Sequence, residues 1–432
     1  MLVHRARGIL LALLWAMLST TGQAQTLGEA TLCDESSLVA DVFRLLDERL
    51  RLMPGVAAAK WQTHGAISDP AREAVVIAAA GSRARALGLS PEPVEDVFKV
   101  QIRLAVELQT RLTAHWVQDG YEYPGVVPDL AKDLRPRLDA LTEEILTSLY
   151  LATPGLAALP SEELDRLALR GLPVERWADA DRKTMVDALR RLALVEHGSW
   201  SRARAVGILR VGTPGDYAPF SAIHAGYLLG SDVELVQALA RQLGVRVVFI
   251  RSSWKTLLRD LSEDQFDLAV GGISLTPVRL AIAEGSIPLA HSGKTALGRC
   301  ADRNKLSTLA AIDRPLVVVV ENPGGTNEAF ARGHLTHAQL RVHGDNVTVF
   351  NEIMEHRADV MFTDETEVDL QTRRQPSLCR LTLKAFEMAD KGFLWMASGG
   401  WAPLVNPWLK AQQQQGVPER LLQRSVEAFA GF

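Results

Sequence analysis

The stretch "SWSRARAVGILRVGTP", Ser199 to Pro214, is where the chain changes its rhythm. Before it, from Ser36 to about His197, apolar residues recur at helical spacing and almost nothing alternates as a strand does. After it come short β-rich runs, "ILRVGTP", "VRVVFI", "DLAVGGI", "PLVVVVE" and "ADVMFTD", separated by helical stretches such as "DVELVQALARQLG". Strands alternating with helices mean an α/β domain. The chain therefore reads as multidomain, an all-α half followed by an α/β half, with the boundary near 198 to 206.

A length of 432 residues agrees, since one ordinary core does not extend so far and two domains are the first expectation. Hydrophobic residues make up 47% and charged residues 23%, with net charge −4 and no long basic run, so neither disorder nor a nucleic-acid footprint is suggested. Small acidic ligands must then be met by local cationic pockets. The start, "MLVHRARGILLALLWAMLSTTGQAQT", has Arg5 and Arg7, an apolar core from Ile9 to Leu18 and small residues ending near Ala24. It reads as a signal peptide over residues 1–24, because a membrane anchor needs about 20 apolar residues and this core is shorter. The expectation is an exported, most simply periplasmic protein, with no membrane association after cleavage near Ala24.

Cys33, Cys300 and Cys379 form no CxxC pair, and no His or Cys cluster has zinc spacing, so no metal or other cofactor is expected. His334 and His337 of "HLTH" read as solvated. In the helical half, Asp69 before Pro70 and Ser90 before Pro91 mark helix starts. Along the second of these helices, Val94, Val97, Phe98, Gln101, Ile102, Ala105, Leu108 and Gln109 share a stripe. Gln109 is thus either an amide at the edge of a core face or a buried group in need of a partner. In the α/β half, "VENPGGTNEAFARGHL", Val320 to Leu335, runs from β-branched residues through a Pro-Gly-Gly turn, with Thr326 where an N-cap would sit. It is an ordinary strand-to-helix turn or a cradle of free N–H groups for an anion.

Over residues 36 to 198, "ERLRLMPGVAAAKWQTHGAISDPARE", "GLSPEPVEDVFKVQIRLAVELQTRLTAHW" and "DLRPRLDALTEEIL" resemble the exported, all-helical chorismate mutases. The resemblance implies that Arg49, Arg72 and Arg135 bind the two carboxylates of chorismate. Lys60 and Gln109 would face its ether oxygen and Glu73 its ring hydroxyl. Ala105 departs from the family, standing where relatives usually offer a hydroxyl, and Val76 stands where some offer a polar group.

From about 207 to the C-terminus, "LRVGTPGDYAPFS", "GSDVELVQALARQLG", "DLAVGGISLTPVRLAIAEGSIPLAHSGKT", "NPGGTNEAF" and "MFTDETE" resemble the type 2 periplasmic binding proteins, and among them the cyclohexadienyl dehydratases. That implies two lobes, about 207–296 with 390–432 and 297–389, behind a helical domain at 25–198 and a linker at 199–206. By this resemblance Arg279 and the cradle around Thr326 hold a substrate carboxylate, and Asp364 meets an amino group if one is present. Glu367 is the general acid, with Asp216, Trp254, Lys294 and Asn322 lining and orienting the site. Without the resemblance, Glu367 beside Asp364 and Glu365 reads as a solvated helix face. Cys300 and Cys379 occupy the positions of a cysteine pair in this dehydratase group, which leaves Cys33 free. Ser231 stands where relatives commonly place an aromatic. The implied substrates are chorismate, prephenate and arogenate, and a homo-oligomer is compatible with the sequence. The rival reading is a solute-binding receptor fused to an inactive or unrelated helical module.

Overall fold

The structure, a computed structural model, describes residues 30–195 and 198–432; the signal-peptide expectation lies outside them. The helical half runs through Glu35–Arg51, Met53–Thr63, Pro70–Ala86, Pro91–Asp119, Arg135–Ala158, Ser161–Gly171 and Asp179–Arg190. Their apolar stripes meet in one core around Phe43, Leu46, Phe98, Leu149, Tyr150 and Trp177, all fully buried. The break between the first two helices falls at Leu52. Pro54 lies in the first turn of the second helix, where its missing N–H leaves no bond unmade. Asp69 caps as expected, its carboxylate accepting from Arg72 N at 3.2 Å. Ser90 does not cap its own helix; its hydroxyl accepts from Ala193 N at 3.0 Å and ties the start of Pro91–Asp119 to the end of the helical half.

The α/β half is built on one mixed sheet. Its main path uses β1 (Leu32–Cys33), β2 (Ile208–Thr213), β3 (Arg246–Arg251), β4 (Leu268–Ser274), β5 (Ala290–Arg299), β6 (Val318–Glu321), β7 (Gln339–Val342), β8 (Val360–Asp364) and β9 (Glu387–Trp395). The order is β1-β3-β2-β4-β9-β5-β8-β6-β7. β4, β9, β5 and β8 pair antiparallel, and the other neighbours on this path pair parallel. β5 and β9 are the long strands that cross between the lobes, so side chains on them lie at the hinge.

Two expectations need correction. Residues 30–33 belong with the sheet rather than with the helices that follow: Leu32 and Cys33 pair parallel with Phe249 and Ile250, and Leu228 N donates to Ala30 O at 2.7 Å. An edge strand has unpaired backbone groups to offer, and this short apolar segment covers them. Residues 199–206 are not a loose linker but the helix Ser199–Val206. Ala203 is fully buried in the first-lobe core, Trp401 Nε1 donates to Ser199 Oγ at 2.6 Å, and the Trp200 and Trp401 rings meet edge-on. The halves also meet where the buried Arg210 guanidinium, paired with Asp267 at 2.8 Å, lies 5.0 Å from the Tyr150 ring.

Cys300 and Cys379 are bridged, Cα atoms 4.8 Å apart, and Cys33 is the free cysteine. The bridge spans 79 residues of the second lobe. On the chain-entropy model it stabilises by about 4 kcal/mol. Thiol titration of denatured, non-reduced protein should find one free thiol, and three would contradict the bridge.

Candidate active sites

The helical half encloses a cavity of about 330 Å³ lined by Arg49, Lys60, Arg72, Glu73, Gln109 and Arg135, the six residues the family likeness implied, with Ala105 and Val76 in its wall. They come from five helices, which is why a series scattered over 87 positions converges. Lys60 is held by a bond from Nζ to Ile67 O at 2.6 Å, and burial pulls its pKa down, offset by the Glu73 and Asp69 carboxylates. Glu73 Oε1 accepts from Ser68 Oγ and Asp69 N, both at 2.9 Å, which leaves its other oxygen for a ligand. Gln109 is buried, its amide nitrogen 3.0 Å from Ala105 O, so it is a core amide rather than an edge one. Its Oε1 has no partner. Arg49 is buried with its Nε unpartnered, and burial lowers its pKa to about 10, with Asp139 acting against the fall.

A buried cation without a full set of bonds is a cost to the fold that a binding site tolerates. Arg49→Met should therefore raise the melting temperature or leave it unchanged while removing the chorismate turnover that the family likeness implies. A large destabilisation would assign Arg49 to the fold instead.

The second site lies between the lobes. From the first lobe come Tyr217, Trp254, Gly272, Ser274 and Arg279, and from the second Asn322, Gly325, Thr326, Asn327, Asn346, Asp364 and Glu367, with Lys391 from the hinge. The inner cavity is about 30 Å³, room for a few waters at most, so the lobes must part to admit a substrate. Glu367 and Asn346 also border an adjoining cavity of about 370 Å³, so Glu367 faces both chambers; Asp216, expected in the wall of the inner site, lines this wider chamber instead.

Positive φ at Gly271 and Gly272, 119° and 71°, turns both N–H groups onto Asp232 at 3.0 and 2.8 Å. A Cβ at Gly272 would come within 2.7 Å of the Tyr217 and Phe220 rings. Arg279 donates to Ser274 O at 2.9 Å and faces Trp254; burial lowers its pKa to about 10, against the pull of Asp364. In the cradle the N-cap is Gly325, not Thr326, which opens the helix Thr326–His334. Gly324 N already donates to Glu328 at 2.6 Å, so the cradle begins one residue later, at Gly325. Asn322 accepts from Asn327 Nδ2 at 3.1 Å, and Asp216 accepts from Trp254 Nε1 at 2.9 Å.

Asp364 is not waiting for an amino group. Lys391 Nζ lies at 2.7 Å, Lys294 Nζ at 3.0 Å and Tyr217 Oη at 2.7 Å, and the two lysines outweigh burial and hold its pKa well below the carboxylate range. Lys294 accordingly stands behind Asp364, bonded also to Asn327, rather than in the cavity wall. Glu367 is buried, not on a solvated face. Burial raises its pKa to about 8, reinforced by Asp364 and Asp216 and opposed by a hydrogen bond from Thr363 and by Lys294.

Sequence reading assigned no role to Lys391, Tyr217, Thr363, Asn327 or Asn346. A lysine followed by "GFLW" inside a strand carried the one available signal, a cation in an apolar run. Among the described residues no cluster of His, Cys, Asp or Glu could hold a metal, and no helix is long and apolar enough to cross a membrane.

Residues 209–423 match the bacterial extracellular solute-binding proteins, family 3, and residues 40–110 match chorismate mutase type II. The α/β half is similar to a cyclohexadienyl dehydratase of Pseudomonas aeruginosa, 39% identical over 252 residues that cover 56% of this chain and 94% of that protein. The helical half is similar to a secreted chorismate mutase of Mycolicibacterium smegmatis, 30% identical over 167 residues, 38% of this chain and 91% of that one. Among solved structures, an ancestral amino acid-binding protein described as a precursor of cyclohexadienyl dehydratase superposes with a TM-score of 0.50 at 28% identity, covering 53% of this chain and all of that one. With a match of that extent in each half, the chain belongs to the cyclohexadienyl dehydratases of the extracellular solute-binding fold, carried behind a domain of the secreted chorismate mutase family.

Proposed function

We propose that this chain is an exported bifunctional enzyme that turns chorismate into prephenate in its helical half and prephenate into phenylpyruvate in its α/β half. The first step is a rearrangement within one molecule: the ether C–O bond breaks as a C–C bond forms, and no proton moves. What it needs is geometry and charge. Arg49, Arg72 and Arg135 hold the dianion in its reactive conformer, and Lys60 with Gln109 stabilises the charge growing on the ether oxygen. Glu73 takes the ring hydroxyl through its uncommitted oxygen.

In the second step Arg279 and the Gly325–Thr326 cradle grip the pyruvyl carboxylate. The ring carboxylate leaves as carbon dioxide, its bonding pair enters the ring, and the 4-hydroxyl departs as water with the proton of Glu367. The burial of Glu367 in the wall of the inter-lobe cavity is the observation that carries this reading: burial raises its pKa to about 8 and so keeps it an acid at neutral pH. A receptor has no use for such a group. In each cycle the carboxylate recovers its proton from solvent by way of the wider chamber. Relatives that are secreted point to export, and the reading extends this to a periplasmic enzyme with its leader removed near Ala24. The product of one half is the substrate of the other.

The test is to give the purified chain prephenate and follow the ultraviolet absorbance of phenylpyruvate. Dehydration at a rate well above the uncatalysed one is expected. Prephenate bound and returned unchanged would mark a receptor.

A further inference from the structure

Once Glu367 has given its proton to the departing hydroxyl it is a carboxylate only 3% exposed, and a charge so placed needs a counter-ion. Its surroundings mostly oppose it. Asp364 and Asp216 repel that charge, and the buried Tyr217 and Glu321 could add only negative charge of their own. Lys294 attracts it, but that ammonium is already shared among Asp364, Asn327 and Thr326.

The wider chamber supplies what is missing. Glu367, Gln371 and Arg374 stand at i, i+4 and i+7 on the helix Glu365–Arg374, so they share one face, and all three line the chamber of about 370 Å³. Arg374 carries the one guanidinium or ammonium in that wall. The other titratable groups there are Asp216 and His224 from the first lobe, and the C-terminal helix brings only Phe429 and Ala430 to it. Arg374 Nε donates to Phe429 O at 2.7 Å, and the guanidinium lies 5.9 Å from the Phe429 ring. Among the described residues neither Nη group has a bond and no carboxylate pairs with it. Burial lowers the Arg374 pKa and Glu367 is the charge that opposes the fall, so the two groups already feel each other across the chamber. Side chains on a helix lean toward its N-terminus, which aims the free end of Arg374 back over Gln371 toward Glu367. Gln371 is buried, and its side-chain amide makes no bond to another described residue, so it can bridge the two.

An arginine closing a helix also serves the helix dipole and a neighbouring carbonyl. That use needs neither a face shared with Glu367 nor Nη groups left open to the chamber.

We propose that Arg374 is a positioning residue of the dehydration step: its guanidinium stabilises the carboxylate left on Glu367 when the proton moves to the 4-hydroxyl, and releases it when solvent reprotonates Glu367 through the chamber. The proposal rests on the dehydratase reading and adds the group that lets Glu367 part with its proton.

The test reads Glu367 itself. In the full chain labelled with carbon-13 at the glutamate carboxyls, the Glu367 resonance is assigned by its absence from Glu367→Gln and followed against pH. Removing a cation disfavours the ionised carboxyl, so Arg374→Met should raise the pKa of Glu367 by about one pH unit, and the descending limb of kcat/KM for prephenate should move up with it. A weaker acid gives its proton more slowly, so kcat on the acid side of that limb should fall about 10-fold. Arg374→Lys should restore most of both, which loss of the Phe429 contact alone would not explain. An unmoved pKa, or a moved pKa with wild-type kcat, would overturn the proposal. If Arg374→Met does not fold, Arg374→Gln, which can still donate to Phe429 O, is read in the same way. A shifted pKa in a chain whose wild type leaves prephenate untouched would defeat the dehydratase reading and leave Arg374 as the counter-ion of Glu367.

Discussion

Replacing Glu367 by glutamine is expected to lower prephenate dehydration by at least ~100-fold and to leave chorismate turnover as it was. Glutamine keeps the length of the side chain and can still bond with Thr363, but it has no proton for the departing hydroxyl. Binding should survive, because in the proposed mechanism the carboxylate is held by Arg279 and the Gly325–Thr326 cradle, which line the cavity apart from position 367. Prephenate should therefore accumulate when the variant is fed chorismate.

The pH profile gives the same claim a second form. The folded-state pKa of Glu367 is raised, so the active, protonated form is complete at low pH and is lost as pH rises through about 8. The profile of kcat/KM should show a descending limb there, since that ratio reports the free enzyme. The limb should vanish in whatever activity Glu367→Gln retains. A wild-type rate in the variant would remove Glu367 from the chemistry.

The second large effect is expected at Lys60. Lys60→Ala should reduce chorismate turnover by roughly 100- to 1,000-fold, the range seen when one preorganised donor to a developing oxyanion is lost. Its bond to Ile67 O fixes Nζ in the cavity, so the charge is in place before the ether bond begins to break. Lys60 is partly exposed and its main bond is to one carbonyl, so the fold should tolerate the change, and dehydration of added prephenate should continue unaltered. Near-normal mutase rates would show that another group carries the ether oxygen.

The division between halves was legible in the period of the apolar residues, and the mutase cavity in the ordered series from Arg49 to Arg135. Those side chains lie on helices, where spacing along the sequence translates directly into facing. The register of "TDETE" placed Glu367, yet its burial could not be read from a sequence in which three acids crowd five positions. The partners of its neighbour Asp364 come from elsewhere: Tyr217 from the other lobe, and the two hinge lysines, 70 and 27 residues away along the chain. Long-range β pairing has no local signature, which is why Lys391 went unassigned and Asp364 was expected to be open. The same holds for Leu32–Cys33, a two-residue strand recognisable only beside its partner β3. The helix Ser199–Val206 was mistaken for a linker because eight residues flanked by glycines carry little pattern; tertiary contacts through Ala203 and Trp200 make it a helix that is packed.

The most direct test of the whole account follows one sample of the full-length chain, given only chorismate, by carbon-13 NMR. Prephenate resonances should rise and then decay as those of phenylpyruvate and carbon dioxide grow in, with no second protein and no cofactor added. Chorismate that stays unchanged, or a reaction that halts at prephenate in the wild-type chain, would contradict it.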